Sequence, residues 1–198
     1  MSSPMSVPAL KAEIRRTALD RRAAIGPAAR AAAALAIRAR GLDIARRVSE
    51  KSAALYLPMR EELDCLPLLD ALATAGWRTA LPCTPARGEA LTFHRWGSGE
   101  ALAPARFGTR EPSPDSPLVV PAIVFAPLAA FDRAGERIGY GGGYYDATMA
   151  ALAASGRRPL YVGLAFSAQE VAEIPAEPHD ARLDFVLTEN EAISCAGA

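Results

Sequence analysis

The chain has 198 residues, 51% hydrophobic and 22% charged, which is long enough to bury a real core and too apolar to stay disordered. Its 22 basic and 22 acidic side chains cancel to a formal net charge of zero, so the overall basic field on which nucleic-acid binding relies is missing. No run reaches the roughly 20 apolar residues of a membrane span, so no membrane partner is expected. Cys65, Cys83 and Cys195 lie too far apart for a CxxC pair or a Cys/His metal cluster, and reduced cytoplasmic thiols are expected. The start of the chain lacks an apolar core of signal-peptide type, so no secretory signal is expected. Its arginine- and alanine-rich composition faintly suggests a transit peptide, but Glu13, Asp20 and Asp43 argue against one.

Taken in order, residues 8–25 read as a helix, with Leu10, Ile14 and Leu19 as its apolar stripe and Lys11 and Arg15 four apart on one face. Gly26 and Pro27 break it, and Pro27 suits the first turn of a second helix running toward Glu50. "SAALYLP" is a short buried strand closed by proline. "PLLDALATAGW" is a helix ending on Gly76, "RTALP" a brief strand, and "ALTFHRW" an ambiguous third one. Residues 97–117, rich in Pro, Gly and Ser, read as a long surface connection. In "PLVVPAIVFAPLAAFD" the prolines Pro121 and Pro127 confine a central strand to residues 123–126. A glycine segment follows, then a helix over residues 144–154 and two late strands, "LYVGLAF" and "DFVLTEN". Strands alternating with helices predict a single α/β domain: an open, mostly parallel sheet flanked by helices. Ligands in such folds sit beyond the carboxyl ends of strands.

The segment "RIGYGGGYYD", residues 137–146, lies at such a strand end. Glycines let backbone amides approach an anion, and consecutive N–H groups can form a nest around phosphate oxygens. The following helix adds its positive end, Arg137 a guanidinium fork and Asp146 hard oxygens suited to Mg²⁺. The segment is equally compatible with a flexible turn whose tyrosines pack on the core. It matches neither the Rossmann GxGxxG, since Tyr144 stands at the sixth position, nor a P-loop, which needs GK followed by Ser or Thr.

The longer stretch "FDRAGERIGYGGGYYD" resembles the signature of the 5-formyltetrahydrofolate cyclo-ligase (methenyltetrahydrofolate synthetase) family. "KAEIR", "LYLPMREELD" and "VGLAFSAQEVAEIPAEPHDARLDFVLTE" agree with it in order, from Lys11 to Glu189. The resemblance implies an ATP- and Mg²⁺-dependent ligase that closes 5-formyltetrahydrofolate, with or without a polyglutamate tail, to 5,10-methenyltetrahydrofolate. It also implies an open α/β fold. Carried over by position, Lys11 and Arg15 meet the ATP phosphates. Arg137, Gly139, Tyr140, Gly141, Gly142, Gly143, Tyr144 and Tyr145 form the ATP cradle, with Arg137 and Tyr144 as catalytic groups. Asp146 and Asp184 are the metal-associated acids. Met59, Glu62, Asp64, Tyr140 and Tyr144 contact the folate.

No Ser-His-Asp or Cys-His arrangement supplies a protein nucleophile, and phosphoryl transfer needs none. His179 and Asp180 in "EPHDARLD" are open to a site-shaping role or to a turn and capping role. His94 reads as structural or surface, and Trp77 and Trp96 as packing. The sequence departs from the family pattern at Ala147, where a basic residue usually follows the YYD, at Cys65 after the acid of the folate loop, and at Gly142, which is basic in some members. Two other readings stay open: a kinase or ligase for another small molecule, and an RNA-binding arm in the arginine-rich first fifty residues, which lacks aromatic residues for stacking. A monomer or weak dimer is expected.

Overall fold

The computed structural model describes residues 6–195. Two helices open the chain, α1 (Val7–Ala23) and α2 (Pro27–Ala45), each with proline in its first turn. Then come β1 (Ser52–Ala54), α3 (Leu66–Thr74), β2 (Arg78–Cys83) and β3 (Thr92–Arg95). Residues 97–117 hold a small hairpin of β4 (Ala103–Pro104) and β5 (Arg110–Glu111), where only a connection was expected. Next are β6 (Ile123–Pro127), a second hairpin of β7 (Ala130–Phe131) and β8 (Arg137–Ile138), α4 (Tyr144–Ala154), β9 (Leu160–Leu164), β10 (Phe185–Leu187) and β11 (Ala192–Ser194). α2 stops at Ala45, short of the expected run toward residue 50.

Seven strands form one sheet in the order β11-β10-β9-β6-β1-β2-β3. The inner five run parallel, and β3 and β11 pair antiparallel at the two edges. Both faces are covered, so the inner strands are largely apolar and alternate mainly in which side they serve. Ala53, Leu55, Ile123 and Phe125 pack under α2 and α3, against Ile37, Leu68, Leu69 and Leu72. Ala54, Val124, Ala126 and Tyr161 pack on the other side against Met149 of α4. From β1 the chain moves one way to β2 and β3, then crosses back to β6 on the other side of β1. The carboxyl ends of β1 and β6 are therefore the switch point of the sheet, where α/β folds open a crevice.

The β7–β8 hairpin stands out from this crevice, and α1 packs on it through Ile14 and Ala18 against Ala130, Ile138 and Ile174. Its turn is pinned from inside. The buried Asp132 carboxylate accepts the N–H of Glu136 at 3.0 Å and that of Ile174 at 2.9 Å. Gly135 has a φ of +91°, and a Cβ there would come within 2.7 Å of the Leu183 carbonyl and of Cys195. The crossover into the hairpin is held by Gln169, which is buried. Its Nε2 donates to the carbonyls of Leu128 (2.8 Å) and Ala129 (3.0 Å), and its Oε1 accepts the Phe166 N–H at 2.9 Å.

Gln169→Leu keeps the volume and orphans three buried backbone groups. It is expected to cost about 3 kcal/mol and to lower the melting temperature by roughly 10 °C in a thermal unfolding experiment. A wild-type melting temperature would show that the crossover is held by packing alone.

Candidate active site

A cleft of about 850 Å³ opens over the carboxyl ends of β1, β2 and β6, lined there by Tyr56, Met59, Pro82, Thr84 and Pro127. The glycine loop between β8 and α4 forms one wall, and α1 contributes Lys11 and Arg15 beside it. The β4–β5 hairpin closes the far side with Thr109, Arg110 and Glu111.

Within the glycine loop each glycine answers a different constraint. Gly141 and Gly143 have φ of +88° and +69°, with nothing within 4 Å of where a Cβ would stand. Gly142 is crowded instead: a Cβ would lie 2.6 Å from the Tyr144 ring. A side chain at position 142 would have to displace that ring. Among the described residues, none accepts a hydrogen bond from the backbone N–H of Gly139, Tyr140, Gly141, Gly142 or Gly143. Gly143 also caps α4, so the loop runs straight into the positive end of an 11-residue helix. Five such amides in a row are an anion site in waiting.

Arg137 anchors this wall. Its guanidinium is buried, with Nε donating to the Tyr161 hydroxyl at 2.7 Å and Nη2 to Asp146 Oδ1 at 2.8 Å. Burial opposes its charge, but Tyr161 and Asp146 more than offset that and raise its pKa. Asp146 Oδ1 also accepts the Ala181 N–H at 3.0 Å, tying α4 to the loop before β10. The same end of the cleft holds Glu177, His179 and Asp180, whose ligand atoms lie within 4.8 Å of one another. Lys11 Nζ donates to Glu177 at 2.8 Å and to Asp180 at 2.6 Å, and Arg15 Nε donates to the Gly139 carbonyl at 2.7 Å. Burial disfavours the Lys11 ammonium, yet its bonds to Asp180 and Glu177 prevail and raise its pKa. Burial likewise disfavours the Asp180 carboxylate, and the Lys11 and Glu177 hydrogen bonds prevail and lower its pKa.

The structure thus gathers Lys11, Arg15, Arg137, the glycine loop with its three tyrosines, Asp146, Met59 and Glu62 around one cleft. It sets two expected residues apart. Asp184 is absent from the lining: its carboxylate accepts from Arg158 Nη2 at 2.8 Å and from the Tyr161 N–H at 2.7 Å, at the amino-terminal edge of β9 and β10. Asp64 is exposed and accepts the Leu66 N–H at 2.9 Å, which makes it a turn residue at the start of α3. Asp180 lines the cleft, and Asp184 does not. The two are four apart in "EPHDARLD", and the signal that favoured the first was Glu177, His179 and Asp180 crowded into four positions. Tyr161, the support of Arg137, has no sequence signal beyond an apolar strand. Glu177, His179 and Asp180 are the one cluster among the described residues with ligand atoms close enough to share a cation, and Asp146 lines the same cleft with its Oδ1 already bonded to Arg137 and the Ala181 N–H. Burial and the Glu111 charge push the Cys83 thiol up to about 11, burial above all carries Cys195 to about 11 and raises Cys65 further, so none is a ready thiolate nucleophile. No helix among the described residues is long and apolar enough to cross a membrane.

The sequence profile of the 5-formyltetrahydrofolate cyclo-ligase family matches residues 7–189. A 5-formyltetrahydrofolate cyclo-ligase of Mycolicibacterium smegmatis is 32% identical over 94% of this chain and 97% of its own, and one of Escherichia coli is 34% identical over 71% and 79%. The structure is similar to that of the Aquifex aeolicus 5,10-methenyltetrahydrofolate synthetase, with a TM-score of 0.77 and 27% identity over 96% of this chain and 94% of that one. A synthetase from Mycoplasma pneumoniae, at 20% identity, shares the fold with a TM-score of 0.71 over 93% and 98%. With a profile that spans nearly its whole length and relatives that align end to end, the chain belongs to the 5-formyltetrahydrofolate cyclo-ligase family.

Proposed function

We propose that this protein closes 5-formyltetrahydrofolate to 5,10-methenyltetrahydrofolate at the expense of ATP, releasing ADP and phosphate. The observation that carries the reading is the row of unpartnered amides from Gly139 to Gly143, set between Arg137 and the Lys11–Arg15 face of α1. This is a site for a polyphosphate, and it shares its cleft with a half-apolar wall sized for a flat ring.

The formyl oxygen is amide-like and leaves poorly. Its attack on the γ-phosphoryl group makes it a phosphate ester. N10 then attacks the formyl carbon, the C–O bond breaks, phosphate departs with that oxygen, and the N10 proton passes to solvent. Such chemistry asks the protein to position groups and neutralise charge. The loop amides and the α4 terminus hold the phosphates, and Arg137, Lys11 and Arg15 offset the charge. Asp146, or the Glu177–Asp180 pair at the same cleft, would hold Mg²⁺, which would supply positive charge to the phosphate oxygens. Tyr140 and Tyr144 flank the ring, and Met59 and Glu62 line its floor.

A cyclisation assay that follows the near-ultraviolet absorbance of the methenyl product, with and without ATP, tests the reading directly. ATP turnover that needs some other acceptor, with no methenyl product, would replace it by a different small-molecule kinase or ligase. Gly141→Val puts a side chain at φ +88° into the open space above the loop and is expected to cut ATP-dependent turnover about 100-fold with the far-ultraviolet spectrum unchanged. Wild-type kinetics would reduce the glycines to a turn. Asp146→Asn is expected to raise the Mg²⁺ concentration for half-maximal activity, and an unchanged metal titration would count against its assignment.

The Lys11 ion pairs also contribute stability of their own. Lys11→Met strands two carboxylates and is expected to cost about 2 kcal/mol at neutral pH. Asp180 has a lowered pKa in the fold, so its share is present above the unfolded value near 4 and is lost as pH falls through the folded one. Lys11 has a raised pKa, so its share is lost only as pH climbs past the lysine range. Denaturant melts of both proteins from pH 3 to pH 8 should show the gap closing in acid; a gap independent of pH would mean that packing, not charge, holds α1.

A further inference from the structure

Arg22 lies near the end of α1, away from the cleft lining, and is only 5% exposed. Its Nη1 donates to the Tyr140 hydroxyl at 2.6 Å, and its guanidinium carbon lies 5.8 Å from the centre of that ring. Its Nε–H is buried with no hydrogen-bond partner, alone among the buried side-chain nitrogens and oxygens of the described residues. A cation buried against a neutral phenol is costly unless a negative group nearby compensates.

Glu62 is an acid on which the Arg22 charge acts without a direct ion pair. It is 8% exposed, lines the cleft, and accepts the Met59 N–H at 2.9 Å. It is faced by Arg22 and Tyr140, and by Tyr56, Cys65 and Tyr145. Arg22 is the one cation in that set. Burial raises the Glu62 pKa, and the Met59 N–H, the Tyr140 hydroxyl and the Arg22 charge oppose the rise. The backbone is fixed around the same centre: Arg30 Nη2 donates to the Arg22 carbonyl at 2.8 Å and its Nη1 to the Glu61 carbonyl at 2.6 Å.

We propose that Arg22 is a positioning residue for the folate end of the cleft: it fixes the half-exposed Tyr140 ring through its hydroxyl, beside the Glu62 carboxylate that takes the donor edge of the pterin's amino-pyrimidine. The proposal rests on the folate reading above. It separates the two ends of the cleft. Lys11, Arg15 and Arg137 serve the phosphates, while Arg22, behind the wall, serves the ring.

The experiment compares Arg22→Gln, Arg22→Lys and Tyr140→Phe with the wild type by steady-state kinetics across pH, and follows the Glu62 carboxyl by ¹³C NMR titration in the substrate-free protein. Arg22→Gln should raise the KM for 5-formyltetrahydrofolate about tenfold, the worth of one charge-assisted hydrogen bond, and leave the KM for ATP unchanged. Loss of the cation makes Glu62 easier to protonate, so the acid limb of kcat/KM for folate and the Glu62 titration should both move to higher pH. Arg22→Lys should bring both back toward the wild type. An Arg22→Gln protein with unchanged folate KM and unchanged Glu62 titration overturns the proposal, as does a fall in kcat alone with the pH profile intact. Should Arg22→Gln fail to fold, Tyr140→Phe decides, since it spares the core: a tenfold higher folate KM supports the proposal and a wild-type value overturns it. If the wild type makes no methenyl product, the folate reading fails by itself, and the NMR titration still decides whether Arg22 controls Glu62.

Discussion

One buried guanidinium holds the candidate site together. Arg137 leaves β8, reaches the Tyr161 hydroxyl on β9 and grips Asp146 in the first turn of α4. Through the second bond to Asp146 Oδ1, it also fixes the loop that carries Glu177 and Asp180. Four separate stretches of chain therefore take their relative positions from one charge. Burying a cation is tolerable only where its donors are met, and removing one member of such a pair leaves the other charged and dry. The loop between Arg137 and Asp146 can stay almost bare of side chains because its two ends are so firmly tied.

That bareness is what the chemistry needs. Phosphoryl transfer is governed by where oxygens sit and how their charge is met, more than by any attacking side chain. Backbone amides suit this task because they are short, fixed and cannot be titrated. The cations around them are less free. Lys11 is held by two acids and Arg15 by a carbonyl, so both are placed before any ligand arrives and little side-chain entropy remains to be lost on binding. The wall around Glu62 follows the same logic with an opposite sign, a buried carboxylate beside the phenol of Tyr140, which Arg22 holds from behind.

Much of this was legible in the sequence. Proline and glycine marked the helix starts and the strand ends, and the βαβ alternation gave the parallel sheet. The glycine segment's place at the cleft was legible because Gly139 to Asp146 lie next to one another along the chain at a strand end. Less was legible wherever partners came from afar. The two-residue strands β4, β5, β7 and β8 are too short to leave a period, and β11 is set by pairing with β10. Asp64 and Asp184 lie outside the cleft lining, Asp64 bonded to the Leu66 N–H and Asp184 to Arg158 and the Tyr161 N–H, partners that no local pattern announces. Asp180 and Arg22 went the other way: their surroundings, which no local pattern encodes, gave them their significance.

The distance along the chain between Lys11 and its two acids, 166 and 169 positions, has a consequence during synthesis. The first helix leaves the ribosome long before the segment that neutralises it, and the glycine loop emerges between them. A growing chain can therefore hold five of the seven strands of its main sheet while the Glu177–Asp180 end of the cleft is still missing. That end of the cleft is complete only once residues 177–180 are made, with β10 and β11 still to come.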